Sequence, residues 1–93
     1  MKIEELIEKD VCKELKEWNL ELLSIESIEP YDILRNFMYS GKDYVQYYIT
    51  AYAKFKSSYT IDHNLQYKVH CVWLDGIVDY YGRFDSKGRF YAN

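Results

Sequence analysis

The sequence contains few residues that interrupt regular structure, and it has no long apolar run. One proline and four glycines occur in 93 residues, so most of the chain is free to form helices and strands. No stretch approaches the roughly 18 apolar residues that a membrane-spanning helix needs. The acidic start, from Met1 to Glu5, is unlike the basic and then apolar start of a signal peptide. We therefore expect a single cytoplasmic domain over residues 1–93, with no membrane contact.

Residues that carry chemistry are also scarce. Two cysteines, Cys12 and Cys71, are too few for a disulfide scaffold. Neither C-x-x-C nor H-x-x-x-H occurs, and there is no glycine-rich phosphate loop. The sequence therefore predicts no metal, no cofactor and no enzymatic activity.

The composition is unusual in its tyrosines, of which there are eleven. Tyrosine favours strands, and its ring suits surfaces that are half-buried or that face a partner. A chain of this length buries only about 60% of its unfolded surface, and oligomerisation is a common way for such small domains to gain stability. A homodimer is therefore compatible with the composition.

The net charge of −3 hides an asymmetry along the chain. Residues 1–32 carry ten acids and four lysines, a net charge of −6. Residues 33–93 carry eight bases and five acids, a net charge of +3. Such polarity can steer a charged partner, although a solvated helix gives the same charges.

The first segment has the pattern of an amphipathic helix. Apolar residues recur at spacings of three and four, which places them on one stripe. Asn19 is a suitable place for the helix to end. The residues of the stripe are Ile3, Leu6, Ile7, Val11, Leu15 and Trp18.

From residue 20 the period changes to that of a strand, which we expect to end before Pro30. Residues 31–39 fit either of two structures. Pro30 suits the first position of a short helix, whereas the turn-like residues 40–43 favour a strand that leads into the next segment.

Residues 44–56 show the clearest alternation in the chain. Odd-numbered residues from Val45 to Phe55 are apolar, and this predicts a long strand with one dry face. The opposite face is rich in tyrosine and lysine, and we call it the tyrosine–lysine face. On this strand it carries Tyr44, Tyr48, Tyr52, Lys54 and Lys56.

The sequence next predicts a turn at residues 62–64 and then a hairpin closed by Asp75 and Gly76. A two-residue turn there pairs residues whose numbers add up to 151. Trp73 then faces Val78, and Cys71 faces Tyr80. The same register pairs His70 with Tyr81 and Lys68 with Arg83. We expect residues 85–88 to form a last turn before a short edge strand at residues 89–91.

Together these elements predict an α+β fold, with the N-terminal helix packed on a curved antiparallel meander of four to six strands. His70 and Cys71 point to opposite faces of their strand, so they do not form a catalytic pair. Cys71 on the dry face and Cys12 at the margin of the helix stripe fit the core. The predicted neighbours His70, Asp79 and Tyr81 fit either of two interpretations: an acid–base group, which is the enzymatic alternative, or a polar cluster on the sheet surface.

If the strands pair as predicted, Lys68, His70, Tyr81 and Arg83 extend the tyrosine–lysine face. Tyrosine and arginine are enriched in protein interfaces, so the first hypothesis for this face is a contact with another protein. Aromatic rings between bases also suit stacking with single-stranded nucleic acid. A solvated outer surface is the third interpretation.

The acidic helix provides a second candidate surface. Its carboxylates, represented by Glu4, Glu8 and Glu14, could imitate nucleic-acid phosphates and occupy a basic groove. The sequence therefore predicts a small non-enzymatic protein that binds another protein. Its sharpest form is an inhibitor of a nucleic-acid-handling protein, of the kind that phages and mobile elements encode against host defences. The alternative is a single-stranded nucleic-acid binder that uses the tyrosine–lysine face.

Overall fold

In residues 2–35, 43–56 and 65–93, the parts of the chain that the computed structural model describes, one helix precedes five strands. The strands form one open antiparallel sheet in the order in which they follow each other along the chain. This confirms the predicted α+β fold with a helix packed on an antiparallel meander. The elements are α1 (Ile3–Glu17), β1 (Leu20–Arg35), β2 (Asp43–Phe55), β3 (Tyr67–Leu74), β4 (Ile77–Phe84) and β5 (Phe90–Ala92).

Helix α1 buries the middle of its predicted stripe. Ile7, Val11 and Leu15 are fully buried because their spacing of four places them on one side of the helix. The helix stops where the sequence predicts: Asn19 takes a left-handed φ of 60°. The carbonyl oxygen of Asn19 accepts a hydrogen bond of 2.9 Å from the backbone N–H of Lys56. This bond joins the end of the helix to the end of β2.

The core lies between α1 and the face of the sheet that α1 covers, which we call the inner face. Trp73 from β3 is buried there, and its indole N–H donates a hydrogen bond of 2.7 Å to the Asp10 carboxylate on α1. The helix is thus held to β3 by a polar contact as well as by apolar packing. The sheet residues of this core include Leu20, Ile49, Ala51, Ala53, Tyr67, Val69, Cys71, Trp73 and Tyr80.

Strand β1 is longer and less regular than its sequence predicts. The expectation that it ends before Pro30 is wrong, since β1 continues to Arg35 and Pro30 pairs with Tyr47 of β2. Proline is tolerated there because β1 is an edge strand. Of the two structures proposed for residues 31–39, the strand is confirmed as far as Arg35.

The ladder between β1 and β2 shifts register three times, between Leu22 and Ser24, between Ile25 and Ser27, and after Pro30. Each shift inserts one unpaired residue into β1, as in a β-bulge. Leu22, Ile25 and Ile28 therefore pack against the core at intervals of three residues rather than two.

The hairpin between β3 and β4 follows the predicted register over its first half. Asp75 and Gly76 form its turn with φ values of 48° and 86°, as a type I′ turn requires. Trp73 pairs with Val78, and Cys71 pairs with Tyr80. This half of the prediction is confirmed.

Beyond Tyr80 the register shifts by one residue, and the remaining predicted pairs are wrong. His70 pairs with Gly82 rather than Tyr81, and Lys68 pairs with Phe84 rather than Arg83. The cause is a bulge in β4 that leaves Tyr81 as the extra residue. One extra residue exchanges the two faces of a strand. Arg83 therefore lies on the inner face, and Phe84 lies beside Lys68 on the opposite face, where Arg83 was predicted.

Strand β5 covers this part of the sheet as a short edge strand. It begins one residue later than predicted, at Phe90, after a turn at residues 85–88. Asn93 continues the pairing, since its backbone N–H donates to the Tyr81 carbonyl oxygen. The predicted turn at residues 62–64, with His63, and the part of the first turn before Asp43 lie outside the described residues, as do residues 36–39.

Gly82 permits the close approach of β4 and β5 at the bulge. Its φ is 151°, and a Cβ atom there would lie 2.5 Å from the Tyr91 carbonyl oxygen and 2.6 Å from the Phe90 ring. Gly88 also has a positive φ, 81°, but no atom of the described residues lies within 4 Å of its Cβ position. Substitution of these two glycines by alanine therefore distinguishes the cost of a positive φ, which both share, from the cost of a steric contact, which only Gly82 has.

We expect Gly82→Ala to lower the free energy of unfolding by about 1–3 kcal/mol, because the Cβ atom meets backbone that cannot move aside. Gly88→Ala should cost less, since it meets no neighbour. Urea unfolding of both variants measures the difference. Equal losses in the two variants would contradict the role of the contact between β4 and β5.

Candidate protein-interaction surface

The face of the sheet that points away from α1, which we call the outer face, contains most of the predicted tyrosine–lysine face. Its side chains alternate with the core residues along β2 and β3. Tyr52 pairs with Lys68 across these two strands. The backbone of Tyr44 continues the same alternation at the start of β2. The outer face includes Tyr48, Tyr52, Lys54, Lys68, His70, Phe84 and Phe90.

Four rings form a row across the outer face, and each belongs to a different strand. The ring centroids of Tyr48 and His70 are 5.5 Å apart, those of His70 and Phe84 are 5.3 Å apart, and those of Phe84 and Phe90 are 4.9 Å apart. His70 and Phe84 meet at an interplanar angle of 89°. We call these four residues the ring row. Such tilted and edge-on contacts are favourable between aromatic rings.

Glu26 of β1 binds two of the predicted site residues. Its carboxylate accepts a hydrogen bond of 2.9 Å from the Tyr52 hydroxyl and lies 3.3 Å from the Lys68 ammonium group. The Tyr52 hydrogen bond and then Lys68 hold the pKa of Glu26 below its usual value. The same carboxylate raises the pKa of Tyr52. Lys68 is therefore neutralised at the surface where it was expected to attract an anion.

The lysines at the end of β2 differ in their contacts. Lys54 forms an ion pair of 3.8 Å with Glu21 of β1. Lys56 is exposed just after the end of the strand, where its backbone N–H is bonded to Asn19. Both described ion pairs of the outer face thus join a lysine to the acidic strand β1, and they leave this face close to neutral.

His70 lies at the centre of the ring row. Its Nδ1 atom is 2.9 Å from the Tyr48 hydroxyl, which donates to it when the imidazole carries its proton on Nε2. Burial and then the nearby Lys68 charge lower the pKa of His70, while Glu26 acts in the opposite direction. The ring is therefore neutral at pH 7 and forms part of an uncharged aromatic surface.

A groove of about 530 Å³ runs beside the ring row. Its lining includes Tyr52, Lys68, His70 and Phe84 of the sheet and Asp85 and Ser86 of the following turn. Apolar rings with a few polar groups at the margin are typical of the centre of a protein interface. Glu26, Phe84 and Phe90 belong to this surface, although sequence reasoning did not select them. A glycine inside a strand pattern, here Gly82, was the one signal of the bulge that brings Phe84 to this face.

Arg83 does not belong to this surface, and its predicted place on the tyrosine–lysine face is wrong. Its guanidinium carbon lies on the inner face, 4.9 Å from the ring centroids of Phe55 and Tyr91 and 5.2 Å from that of Tyr67. The three rings surround the cation, and each can stabilise it by a cation–π interaction. The cause of the change of face is the bulge at Tyr81.

The three predicted acidic residues of α1 do not form one group. Glu4 and Glu8 are exposed and lie about 40° apart around the helix axis, whereas Glu14 is about 120° from Glu8. Glu14 lines a separate groove with Asp10, Glu17 and Ile77. A flat partner surface can therefore contact Glu4 and Glu8 together, but not all three residues.

Catalytic and metal chemistry find little support in the described residues. His70 lies opposite Gly82, so the predicted neighbourhood of His70 and Tyr81 is wrong. Cys71 is buried in the core as predicted, and burial, together with Glu14, raises the pKa of its thiol to about 12. In residues 2–35, 43–56 and 65–93, no three His, Cys, Asp or Glu side chains are grouped closely enough to hold a metal ion.

Helix α1 is too short and too polar to cross a membrane, and none of the described residues forms a helix that could. Comparison of the chain with known protein families, with curated proteins and with solved structures gives no match. The functional argument therefore depends on the geometry of the surfaces alone.

The environment of His70 predicts a pH dependence of stability. Because its pKa is lowered in the folded protein, the unfolded chain takes up a proton first, near the ordinary pKa of about 6.5. Acidification below about pH 7 therefore favours the unfolded state until the pH falls below the folded pKa. Wild type should lose more stability than His70→Gln between about pH 7 and pH 5. Urea unfolding at several pH values tests this, and parallel curves for the two proteins would contradict it.

Proposed function

We propose that this chain is a non-enzymatic protein-binding module that contacts its partner through the outer face of the sheet. The observation that carries this proposal is the ring row of Tyr48, His70, Phe84 and Phe90, which crosses β2 to β5 beside a groove. Aromatic residues are enriched among those that contribute most to protein–protein affinity.

The pairing of charges on this face supports a protein as the partner. The outer-face lysines Lys54 and Lys68 are engaged by Glu21 and Glu26, so they offer little free charge to a polyanion. An aromatic centre with neutralised charges and a polar margin suits a protein surface, in which charged residues are depleted at the core.

Binding of single-stranded nucleic acid is the second candidate, and the ring row is the observation that favours it. Bases stack on aromatic side chains, but affinity also requires cations along the backbone path. Arg83, which was expected to supply one, lies on the inner face. The edge-on contact between His70 and Phe84 also makes the row a poor set of parallel stacking faces. We therefore place this function second.

A combined variant tests the use of the outer face. Tyr48→Ala with Phe90→Ala should reduce partner capture strongly, since hot-spot residues contribute about 2 kcal/mol or more each. The tagged protein is used to capture partners from host lysate, with and without nuclease, and the proteins are identified by mass spectrometry. Ile77→Ala is the control, because Ile77 is also exposed, at 67%, but lies at the distant hairpin turn.

Loss of a stoichiometric, nuclease-resistant partner in the double variant, with retention in Ile77→Ala, is the expected result. Capture that depends on intact nucleic acid would favour the second candidate. A partner retained by a correctly folded double variant would refute binding through the ring row. Urea unfolding of each variant verifies the fold.

A finer proposal concerns what the partner does. The exposed carboxylates of Glu4 and Glu8 lie on one side of α1, where they can meet a basic surface. This supports an inhibitor that competes with nucleic acid for the groove of a nucleic-acid-handling protein, as mobile elements use against host defences. Such charge pairs act mainly on the association rate and are sensitive to salt.

Reversal of Glu4 and Glu8 to lysine should slow association with such a partner and remove most of its salt dependence. Glu14→Lys should have a smaller effect, because this residue lies on another side of the helix. Association rates measured by surface plasmon resonance at two salt concentrations give the comparison. An unchanged rate in the double reversal would exclude an electrostatic role for this part of α1.

A further inference from the structure

A second groove lies on the other side of the turn between β4 and β5, and we call it the turn groove. It has a volume of about 320 Å³. Tyr67 and Tyr91 form its aromatic side, and Leu65 is exposed at its margin. Lys87 and Arg89 contribute the cations of its lining. The turn groove is therefore both aromatic and basic.

The acidic residue of the groove, Asp85, serves the turn itself. Its carboxylate accepts hydrogen bonds of 2.9 Å from the backbone N–H groups of Lys87 and Arg89 and one of 3.1 Å from the Tyr91 hydroxyl. These bonds keep the pKa of Asp85 below its usual value, the bond from Arg89 being the largest cause. The turn is thus held in one shape, which orders the backbone that carries both cations.

The cations around this groove differ from those of the outer face. Lys54 and Lys68 form ion pairs with β1. Among the described residues, no carboxylate lies within ion-pair distance of Arg83, Lys87 or Arg89. Against these three cations stands the carboxylate of Asp85, so the described residues around the groove carry an excess of positive charge.

Arg83 contacts the two tyrosines of the groove. Its guanidinium carbon lies 5.2 Å from the ring centroid of Tyr67 and 4.9 Å from that of Tyr91, and its buried Nε atom has no hydrogen-bond partner among the described residues. The hydroxyl of Tyr80, a residue that is only 4% exposed, is also buried, and no described residue forms a hydrogen bond with it. Burial raises the pKa of Tyr80, and the adjacent Arg83 opposes this shift. Arg83 does not itself line the groove, but its charge lies against the two tyrosine rings and adds to the positive potential there.

We propose that the turn groove binds a short acidic segment of a partner protein, with its carboxylates at Lys87 and Arg89 and its apolar atoms against Tyr91 and Leu65. Charge complementarity selects this occupant, because the groove combines aromatic walls with two cations that form no ion pair within the described ranges. Carboxylates bind guanidinium groups with strong, charge-assisted hydrogen bonds. This site rests on the proposed function in one respect: the partner is a protein.

The shape and charge of the molecule favour a peptide over a nucleic acid here. The groove has a volume of only about 320 Å³, whereas single-strand binding grooves follow roughly 4–16 nucleotides per domain. The acidic α1 and the net charge of −3 also repel a long polyanion, whereas a short acidic segment meets mainly the local positive charge.

Titration with an oligoglutamate peptide, observed by NMR, tests the proposal without a cellular partner. We expect saturable shifts of the side-chain Nε–H signals of Arg83 and Arg89, and weaker binding at high salt. Lys87→Gln with Arg89→Gln should lower the affinity for the peptide about tenfold, since two exposed charge pairs are lost. Lys13→Gln with Lys16→Gln on α1 removes the same charge elsewhere and should leave the affinity unchanged.

Inorganic phosphate and oligothymidylate are titrated in parallel. Phosphate that binds as well as the peptide would reduce the groove to a simple anion site and overturn the proposal. Oligothymidylate that binds more tightly than the peptide, and that loses affinity in the same double variant, would assign the groove to nucleic acid instead. Absence of saturable shifts with the oligoglutamate peptide would also refute the proposal that the turn groove binds an acidic segment.

The two surfaces can fail independently. Tyr48→Ala alters the outer face at β2, away from β5, and should leave oligoglutamate binding intact. Lys87→Gln with Arg89→Gln alters only the turn groove. Peptide binding that is lost when Lys87 and Arg89 are replaced, but kept when the outer face is altered, therefore supports the proposal for the turn groove. This result does not depend on whether the ring row captures a partner.

Discussion

The β-bulge in β4 determines what each face of the sheet presents at its C-terminal end. The extra residue, Tyr81, lies between the pairs Cys71–Tyr80 and His70–Gly82. It exchanges the faces of the three residues that follow, so Phe84 completes the ring row and Arg83 enters the ring cluster of the inner face. Both proposed binding surfaces depend on this exchange. The close packing of Phe90 on Gly82 holds β5 against the bulge.

The overall fold could be predicted from the sequence because its main signals are strong and local. The spacing of Ile7, Val11 and Leu15 defines the buried side of α1, and alternation in β2 defines the two faces of the sheet. The Asp75–Gly76 turn also determined the first half of its hairpin, since that turn type admits one register. The bulges in β1 and β4 could not be read in the same way, because alternation carries no mark of an inserted residue. A bulge depends on packing with the neighbouring strand, as Gly82 and Phe90 show.

The candidate site was predictable only in part, for a related reason. Tyr48, Tyr52 and Lys68 share a face because they follow the regular part of β2 and β3. Their electrostatic state depends on Glu26, which a register shift in β1 brings beside them. The sequence shows how many charges each segment carries, but the ion pairs decide which of them reach a partner. This is why the outer face is nearly neutral whereas the turn groove is basic.

The two edges of the open sheet differ in how well they can accept another strand. Over its 16 residues β1 contains three register shifts and Pro30, and each of these interrupts the regular row of backbone groups that a new strand would need. The edge formed by β5 is regular but only three residues long. The irregularity of β1 thus has a colloidal consequence: the edges that the structure describes offer no long, regular template for the edge-to-edge stacking to which strands rich in tyrosine are prone.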